Sequence, residues 1–154
     1  MTTGKTSCSL GDAEWLKAGG LQRLLGVLDG GGEEARAVGG AVRNALIGLP
    51  VEEIDVATTA LPEEVVKRVA AAGFKPVPTG IEHGTVTVVI DGKPFEVTTL
   101  RSDVETDGRH AKVAFGRDWR QDAERRDFTM NALSVTRDGT VCDYVGGLAD
   151  LAKR

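Results

Sequence analysis

The sequence contains very little cysteine. Its 154 residues include only Cys8 and Cys142, which lie far apart and have no histidine near them in the sequence. A zinc site needs clustered cysteine and histidine ligands, and a disulfide framework needs several cysteines. The sequence therefore disfavours both kinds of site, and a reducing cytoplasm is the simplest compartment.

Long apolar runs and a dominant charge of one sign are missing as well. No stretch approaches the ~18 apolar residues of a membrane-spanning helix, and the N-terminus lacks the pattern of a signal peptide, so we expect no membrane partner. The formal net charge is -4, with acidic and basic residues mixed. No large basic field marks the chain as a nucleic-acid-binding protein, although a local patch can still bind nucleic acid.

Hydrophobic residues make up 41% of the chain, which is enough for the core of one globular domain. Their periodicity predicts a mixed α/β domain. Leucine spacing predicts a helix over about residues 12–28. Gly4, Lys5 and Thr6 resemble the end of a phosphate-binding loop, but no glycine stands at the required earlier position. The segment before the helix is therefore predicted to be a disordered leader.

Turn residues divide the rest of the chain into short elements. Asp91-Gly92 predicts a hairpin within 84–100, and Asp138-Gly139 predicts another within 132–145, because these residues tolerate positive φ. Residues 101–118 are polar and contain glycine, which favours a loop. The other predicted elements are a strand over 35–38 that enters a Gly-Gly turn, a helix over 41–48, a strand over 52–59, a helix over 61–73, helical segments within 119–135 and the start of a helix over 146–154.

An acidic pair interrupts the apolar strand predicted over 52–59. Residues i and i+2 of a strand point to the same face, so Glu53 and Asp55 should project together while Ile54 and Val56 face the core. Two carboxylates held that close repel each other unless a cation lies between them, and Mg²⁺ prefers such hard oxygen ligands. The alternative is a solvated strand face at a sheet edge.

A glycine turn and a third acid suit the same chemistry. Gly39 and Gly40 precede a helix, where backbone N–H groups can approach a phosphate, and Arg43 follows them. A purely steric turn explains the two glycines equally well. Glu96 is a lone acid in a β-branched strand, which is costly if the carboxylate is buried and unpaired but ordinary at an exposed edge.

A basic cluster further along the chain is the last candidate. Arg125 and Arg126 carry planar guanidinium groups that suit phosphate oxygens, and Asn131 offers hydrogen bonds to a ribose or a base. Asp127 lies between them. An isolated Arg-Arg-Asp sequence is also typical of a helix start with surface charges, so the cluster alone does not decide between the two interpretations.

Together these residues resemble a known family. The segments that carry the resemblance are "VGGAVRNALIGLPVEEIDVATTALPEEV", "GIEHGTVTVVIDGKPFEVTTLR", "DGRHAKVAFGRDWRQDAERRDFTMNALSV" and "DYVGGLADL". In this order they resemble the head and palm region of the class II tRNA nucleotidyltransferases, the CCA-adding enzymes, and of their bacterial poly(A) polymerase relatives. The likeness runs from about residue 35 to the last residue.

The resemblance implies an α/β nucleotidyltransferase palm with a mixed, mainly antiparallel sheet flanked by helices. It implies that C, C and A are added to the tRNA 3′ end without a template, from CTP and ATP, with release of pyrophosphate. It divides the chain into a leader and helix over 1–34, a palm over 35–146 and the start of a neck helix over 147–154. The alternatives are a poly(A) polymerase, a CC- or A-adding relative, or a non-catalytic nucleotide- or RNA-binding remnant.

The resemblance also implies roles for the candidate residues. Glu53 and Asp55 hold two Mg²⁺ ions, for which Mn²⁺ can substitute, and Glu96 is a third catalytic acid on the adjacent strand. The loop from Ser102 to Arg117 resembles the flexible loop associated with the switch to A addition. The residues expected to bind the nucleotide are Gly39, Gly40, Arg43, Arg125, Arg126, Asp127 and Asn131.

The chain departs from the family pattern in two residues and in length. The metal pair is usually Asp-x-Asp, and Glu53 moves its charge outward by one methylene. The arginine of the glycine turn is usually followed by aspartate, and Asn44 lacks that charge, so we expect an ion pair to be lost. The family's neck, which selects the base, and its body and tail, which grip tRNA, are expected to lie outside these 154 residues.

Overall fold

A computed structural model describes residues 4–11, 13–17, 19–51, 53–105, 111–126 and 128–153. The strands are β1 (Lys5–Ser9), β2 (Ala35–Val38), β3 (Asp55–Thr58), β4 (Lys75–Gly80), β5 (Thr85–Ile90), β6 (Lys93–Thr99), β7 (Arg101–Glu105), β8 (Ala111–Phe115), β9 (Ser134–Val135) and β10 (Thr140–Cys142). The helices are α1 (Glu14–Lys17), α2 (Gly19–Leu28), α3 (Gly40–Leu46), α4 (Pro62–Ala71), α5 (Trp119–Glu124) and α6 (Gly147–Ala152), with 3-10 turns at Ile81–His83 and Thr129–Asn131.

Eight strands form one sheet in the order β1-β10-β9-β2-β3-β6-β5-β4, and β7 pairs with β8 separately. Every pair in the large sheet is antiparallel except β3 with β6, which is parallel. The predicted mixed, mainly antiparallel sheet is therefore confirmed. Strand β4 was not predicted, and its two prolines, Pro76 and Pro78, fit its place at the sheet edge, where fewer backbone N–H groups are needed.

The main core lies on one face of this sheet. Alternate residues of β5 and β6 point into it, because successive side chains of a strand face opposite sides. The leucines of α2 complete the same core, so the N-terminal helix and the sheet share their buried surface. Buried members that define it are Leu21, Leu24, Leu25, Leu28, Val56, Val86, Val88 and Val97.

The opposite face of the sheet, which we call the open face, is accessible and polar along β5 and β6, whereas Arg36 and Ser134 are buried on it at β2 and β9. An apolar patch on this face consists of Val38, Ala57 and Leu100, against which Trp119 of α5 packs. This patch holds α5 against strands β2 and β3. No described helix has the length and apolar character needed to cross a membrane.

The predicted hairpins are confirmed. Asp91 and Gly92 have φ of 52° and 78°, which is the backbone conformation of a tight two-residue turn between β5 and β6. Gly139, with φ of 96°, lies in the turn between β9 and β10. The helix predicted over 61–73 is also confirmed as α4, with Pro62 in its first turn.

Two predictions about irregular segments were wrong. The expected disordered leader contains β1, which pairs with β10 through Lys5 and Cys142. The loop expected over 101–118 contains the β7–β8 hairpin, although residues 106–110 lie outside the described part. Strands β1 and β7 are mainly polar, and β8 is a five-residue segment without regular polar–apolar alternation, so side-chain periodicity did not reveal them. The helix predicted over 12–28 is described as α1 and α2, with Asp12 and Ala18 outside the description.

Candidate active site

The parallel pairing of β3 with β6 places two acids side by side. Asp55 is in register with Glu96, and both side chains lie on the open face while Val56 and Val97 enter the core. Glu96 is exposed although it lies in a central strand, so the alternative of an ordinary acid at a sheet edge does not apply. Distant parts of the chain thus supply neighbouring carboxylates.

Glu53 lies before the strand and not within it, which corrects the predicted strand over 52–59. Strand β3 begins at Asp55 because its partner β2 ends at Val38, the residue paired with Asp55. The predicted alternation still holds, since Glu53 and Asp55 are exposed while Ile54 is buried. Glu53 and Asp55 therefore project toward the same side of the sheet, although Glu53 precedes the hydrogen-bonded strand.

The surroundings of Asp55 raise its pKa. Although the residue is accessible to solvent, protein atoms around the carboxyl group displace water and are the largest cause of the raised pKa. The negative charges of Glu96 and Glu53 raise it further, and the guanidinium of Arg126 acts in the opposite direction. Negative charge at this point is therefore incompletely compensated by the protein itself.

A glycine turn brings the end of β2 close to this carboxylate. Gly39 has φ of 76° and ψ of -141° and is buried directly before α3. A methyl group on Gly39 would lie 4.0 Å from Oδ2 of Asp55, so the chain passes the acid at van der Waals distance. The side-chain-free backbone at Gly39 and Gly40 leaves room beside the acid.

Replacing Gly39 by alanine is expected to lower the free energy of unfolding by about 1–3 kcal/mol, because its backbone conformation is strained for any residue with a Cβ. Urea denaturation followed by circular dichroism measures this. Gly19→Ala is the matched control, since Gly19 lacks positive φ and has no atom within 4 Å of the added methyl. An equal loss in both variants would contradict the backbone explanation.

Arg43 is held by two asparagines. Its Nη1 donates to Oδ1 of Asn131 at 2.9 Å, and its Nε donates to Oδ1 of Asn44 at 3.2 Å. Asn44 therefore accepts a hydrogen bond from the charged guanidinium of Arg43, where an aspartate would have formed an ion pair. In the described part of the chain, Arg43 has no carboxylate partner, so its charge remains available to an anion.

Arg125 and Arg126 share one carboxylate that sequence reasoning missed. Asp122 is 4% exposed and accepts from Nε of Arg125 at 3.1 Å and from Nη2 of Arg126 at 3.2 Å. An acid three and four residues before an arginine pair on a helix is a signal for such contacts. Two positive charges meet one negative charge, which leaves a net positive charge beside Asp55. Asp127 lies outside the described residues.

Asp55 lines three cavities on the open face. A cavity of about 390 Å³ also contains Gly40, Arg43, Asn44 and Glu53; one of about 180 Å³ contains Glu96, Thr98, Asp122, Arg125 and Arg126; and one of about 260 Å³ contains Glu53, Thr87, Lys93 and Glu96. The acids thus stand where two arginine-containing cavities meet. This arrangement suits a polyanion whose reacting phosphate lies next to the carboxylates.

The donor set fits a divalent cation. Within the described ranges, no three His, Cys, Asp or Glu side chains gather into a metal-binding cluster. The predicted pair of Glu53 and Asp55 does not require a third protein ligand, because Mg²⁺ usually binds one or two carboxylates together with water and substrate phosphates. The raised pKa of Asp55 marks the uncompensated charge that such an ion would neutralise.

Acids on adjacent sheet strands, facing a glycine turn and basic side chains, define a nucleotidyltransferase head domain. The family described as "Poly A polymerase head domain" matches residues 35–154. The chain belongs to this family, and the resemblance inferred from the sequence is confirmed.

Individual relatives have CCA-adding names. The chain is 46% identical over 142 residues to the zebrafish (Danio rerio) "CCA tRNA nucleotidyltransferase 1, mitochondrial", covering 92% of this chain and 33% of the relative. It is 50% identical over 125 residues to the "CCA-adding enzyme" of Bacillus cytotoxicus, covering 80% and 30%. The Bacillus stearothermophilus CCA-adding enzyme in complex with CTP superposes with a TM-score of 0.76 at 40% identity, covering 88% and 31%. The chain therefore spans about a third of the length of these relatives.

Proposed function

We propose that this chain is the catalytic head of a template-independent tRNA nucleotidyltransferase. The reaction adds C and A residues to the 3′ end of tRNA from CTP and ATP and releases pyrophosphate. The observation that carries the proposal is the parallel register of Asp55 with Glu96, beside Glu53 and between two cavities lined by arginines. The names of the relatives supply the substrate class, which the head alone does not specify.

Metal ions complete the proposed site. Members of this enzyme family use divalent metal ions, and we assign two Mg²⁺ ions, replaceable by Mn²⁺, to Glu53 and Asp55. When bound, such ions favour the ionised primer 3′-hydroxyl and neutralise the departing pyrophosphate. Glu96 adds a third negative charge beside Asp55 and strengthens the local attraction for cations.

The chain's own residues bind and orient the substrate. Gly39 and Gly40 leave space for the triphosphate next to Asp55, and Arg43, held in place by Asn131, neutralises part of its charge. On the other side of Asp55, Arg125 and Arg126 contact sugar or phosphate oxygens, with Asp127 assigned to the same group.

The domains of the chain and its cellular compartment are also proposed. We propose a division of the chain into a leader and helix over 1–34, a palm over 35–146 and the start of a neck helix over 147–154. Base selection and the grip on tRNA are assigned to the remaining two thirds of such relatives. A cytoplasmic location also remains a prediction, since the relatives include mitochondrial as well as bacterial proteins.

Poly(A) addition is the second candidate, because the matching family carries the poly A polymerase name. It uses the same head chemistry with ATP alone. Ordered CCA addition and poly(A) addition therefore differ in base choice and not in the carboxylates or the glycine turn.

The proposal predicts triphosphate binding that depends on metal. Calorimetric titration of CTP or ATP into this chain with Mn²⁺ or Mg²⁺ should give saturable binding, and EDTA should remove it, because the carboxylates repel an uncompensated triphosphate. CTP and ATP should differ less than about tenfold in Kd, a difference of about 1.4 kcal/mol. CMP and AMP are the matched controls and should bind much more weakly.

Two outcomes would contradict the proposal. Equal triphosphate binding in metal and in EDTA would remove the role of the acids. A complete lack of binding at millimolar triphosphate with metal would favour a non-catalytic remnant of the fold. A strong preference for one triphosphate would contradict the assignment of base selection to another region.

A further inference from the structure

The buried carboxylate of Asp122 joins two parts of the molecule. Besides the two arginines, its Oδ1 accepts from the backbone N–H of Arg101 at 3.2 Å. Arg101 is the first residue of β7, so this bond reaches the base of the β7–β8 hairpin. One acid thus contacts the arginine pair and the hairpin together.

The hairpin base is connected to the sheet and to α5 by the residues around it. The N–H of Leu100 donates to the carbonyl of Thr58 at 2.9 Å, and the N–H of Gly116 donates to the carbonyl of Leu100 at 2.8 Å. Trp119 packs against Leu100 in the small apolar patch. Helix α5, which carries Asp122, is therefore attached to both ends of the hairpin, and a displacement of the hairpin would be transmitted to this helix.

The two carboxylate oxygens of Asp122 accept hydrogen bonds from different residues. Oδ1 accepts from Arg101 and Arg125, whereas Oδ2 accepts from Arg126. Arg126 and Asp55 line the same cavity, so the guanidinium of Arg126 lies near the central acid. Holding Arg126 through Oδ2 consequently sets the position of a positive charge at the proposed reacting phosphate.

We propose that Asp122 is a positioning residue that couples the β7–β8 hairpin to nucleotide binding. Its carboxylate holds the guanidinium groups of Arg125 and Arg126 toward the site. Because the same carboxylate accepts from the N–H of Arg101, a displacement of the hairpin also displaces this carboxylate. The inference rests on the proposed function, because the anion that the arginines meet is the bound nucleoside triphosphate. Asp122 itself does not contact the reacting atoms.

Asp122→Asn gives a test in which two explanations predict opposite signs. Asparagine can keep the acceptor at Oδ1, but its amide group replaces Oδ2 and cannot accept from Arg126. The positioning role predicts about tenfold weaker binding of metal-bound CTP. Removal of a negative charge near a triphosphate, acting through electrostatics alone, predicts unchanged or tighter binding. Calorimetric titration of CTP with Mn²⁺ decides between them.

Asp118→Asn is the matched control on the same helix. It removes one negative charge, and asparagine caps a helix N-terminus about as well as aspartate, so α5 should be preserved. Its CTP affinity should match that of the parent chain. A tenfold loss in both variants would attribute the effect to α5 as a whole and overturn the role of Asp122.

A double-mutant cycle and hydrogen exchange test the coupling itself. In an Arg126→Gln background, Asp122→Asn should cause little further loss, because its effect passes through Arg126. CTP should slow exchange of the Arg101 amide in the parent chain, and Asp122→Asn should abolish that slowing. Additive losses, or slowing that persists in the variant, would overturn the coupling.

Asp122→Glu is a second variant that tests the inference even if the Asp122→Asn protein does not fold. It keeps the charge for the two arginines and lengthens the side chain, so it should fold and still bind CTP more weakly. Parent-like affinity in this variant would show that only the charge matters and would overturn the positioning role. If the parent chain itself binds no metal-bound triphosphate, the proposed function fails first; parent-like binding with an unaffected Asp122→Asn variant overturns this inference alone.

Discussion

Replacing Asp55 by asparagine is expected to weaken the binding of metal-bound CTP by about a hundredfold, which corresponds to about 2.7 kcal/mol. Asp55 adjoins all three cavities of the site and is in register with Glu96. The neutral amide is a poor ligand for a hard cation, and only a bound cation allows triphosphate to approach the remaining acids. Calorimetric titration with Mn²⁺ and CTP measures the loss.

The same substitution should stabilise the metal-free protein at neutral pH. The pKa of Asp55 is raised in the folded state, so the folded chain binds its proton more tightly than the unfolded chain does. Stability consequently falls as the pH rises through the interval between the ordinary carboxyl pKa and the raised one. Asp55→Asn should have a higher Tm than the parent at pH 7, and the difference should shrink as the pH is lowered through that interval.

Glu63→Gln is the control for this pair of measurements. Glu63 is an exposed acid in the first turn of α4, outside the three cavities, so its loss should leave CTP affinity unchanged. In EDTA, Asp55→Asn should not weaken residual triphosphate binding, because it removes a repelling charge. Unchanged binding of metal-bound CTP by Asp55→Asn would refute the metal role of this acid.

Replacing Leu25 by alanine is expected to lower the free energy of unfolding by about 2–5 kcal/mol. Leu25 is completely buried in α2, within the same core as the valines of β3, β5 and β6. The substitution removes apolar contacts and leaves a cavity that well-packed neighbours fill only in part. Urea denaturation measures the change in unfolding free energy.

Leu61→Ala is the matched control, because Leu61 is 50% exposed and precedes α4 without capping it through its side chain. It should change the unfolding free energy by less than about 1 kcal/mol. A small effect of Leu25→Ala, comparable to this control, would mean that the N-terminal helix is dispensable to the palm. The expected large effect would mean that a cut at residue 34 removes part of the core.

Local sequence was sufficient for the tight turns and for several of the helices. Asp91-Gly92 predicted its hairpin because positive φ is a property of these residues themselves. Pro62 likewise marked the start of α4. Strands β1, β4, β7 and β8 escaped prediction, since none of them has regular polar–apolar alternation and pairing depends on a partner elsewhere in the chain.

The sequence by itself determined the α/β character, the turn positions and the chemical inventory of acids, arginines and glycines, because each follows from residue type and short-range spacing. Only the tertiary structure decided which of them meet. The register of β3 with β6 placed Glu96 beside Asp55, the end of β2 moved Glu53 out of the strand, and the fold brought the N–H of Arg101 to the buried carboxylate of Asp122. Long-range backbone pairing and burial produce these contacts, and neither is encoded in the spacing of neighbouring residues.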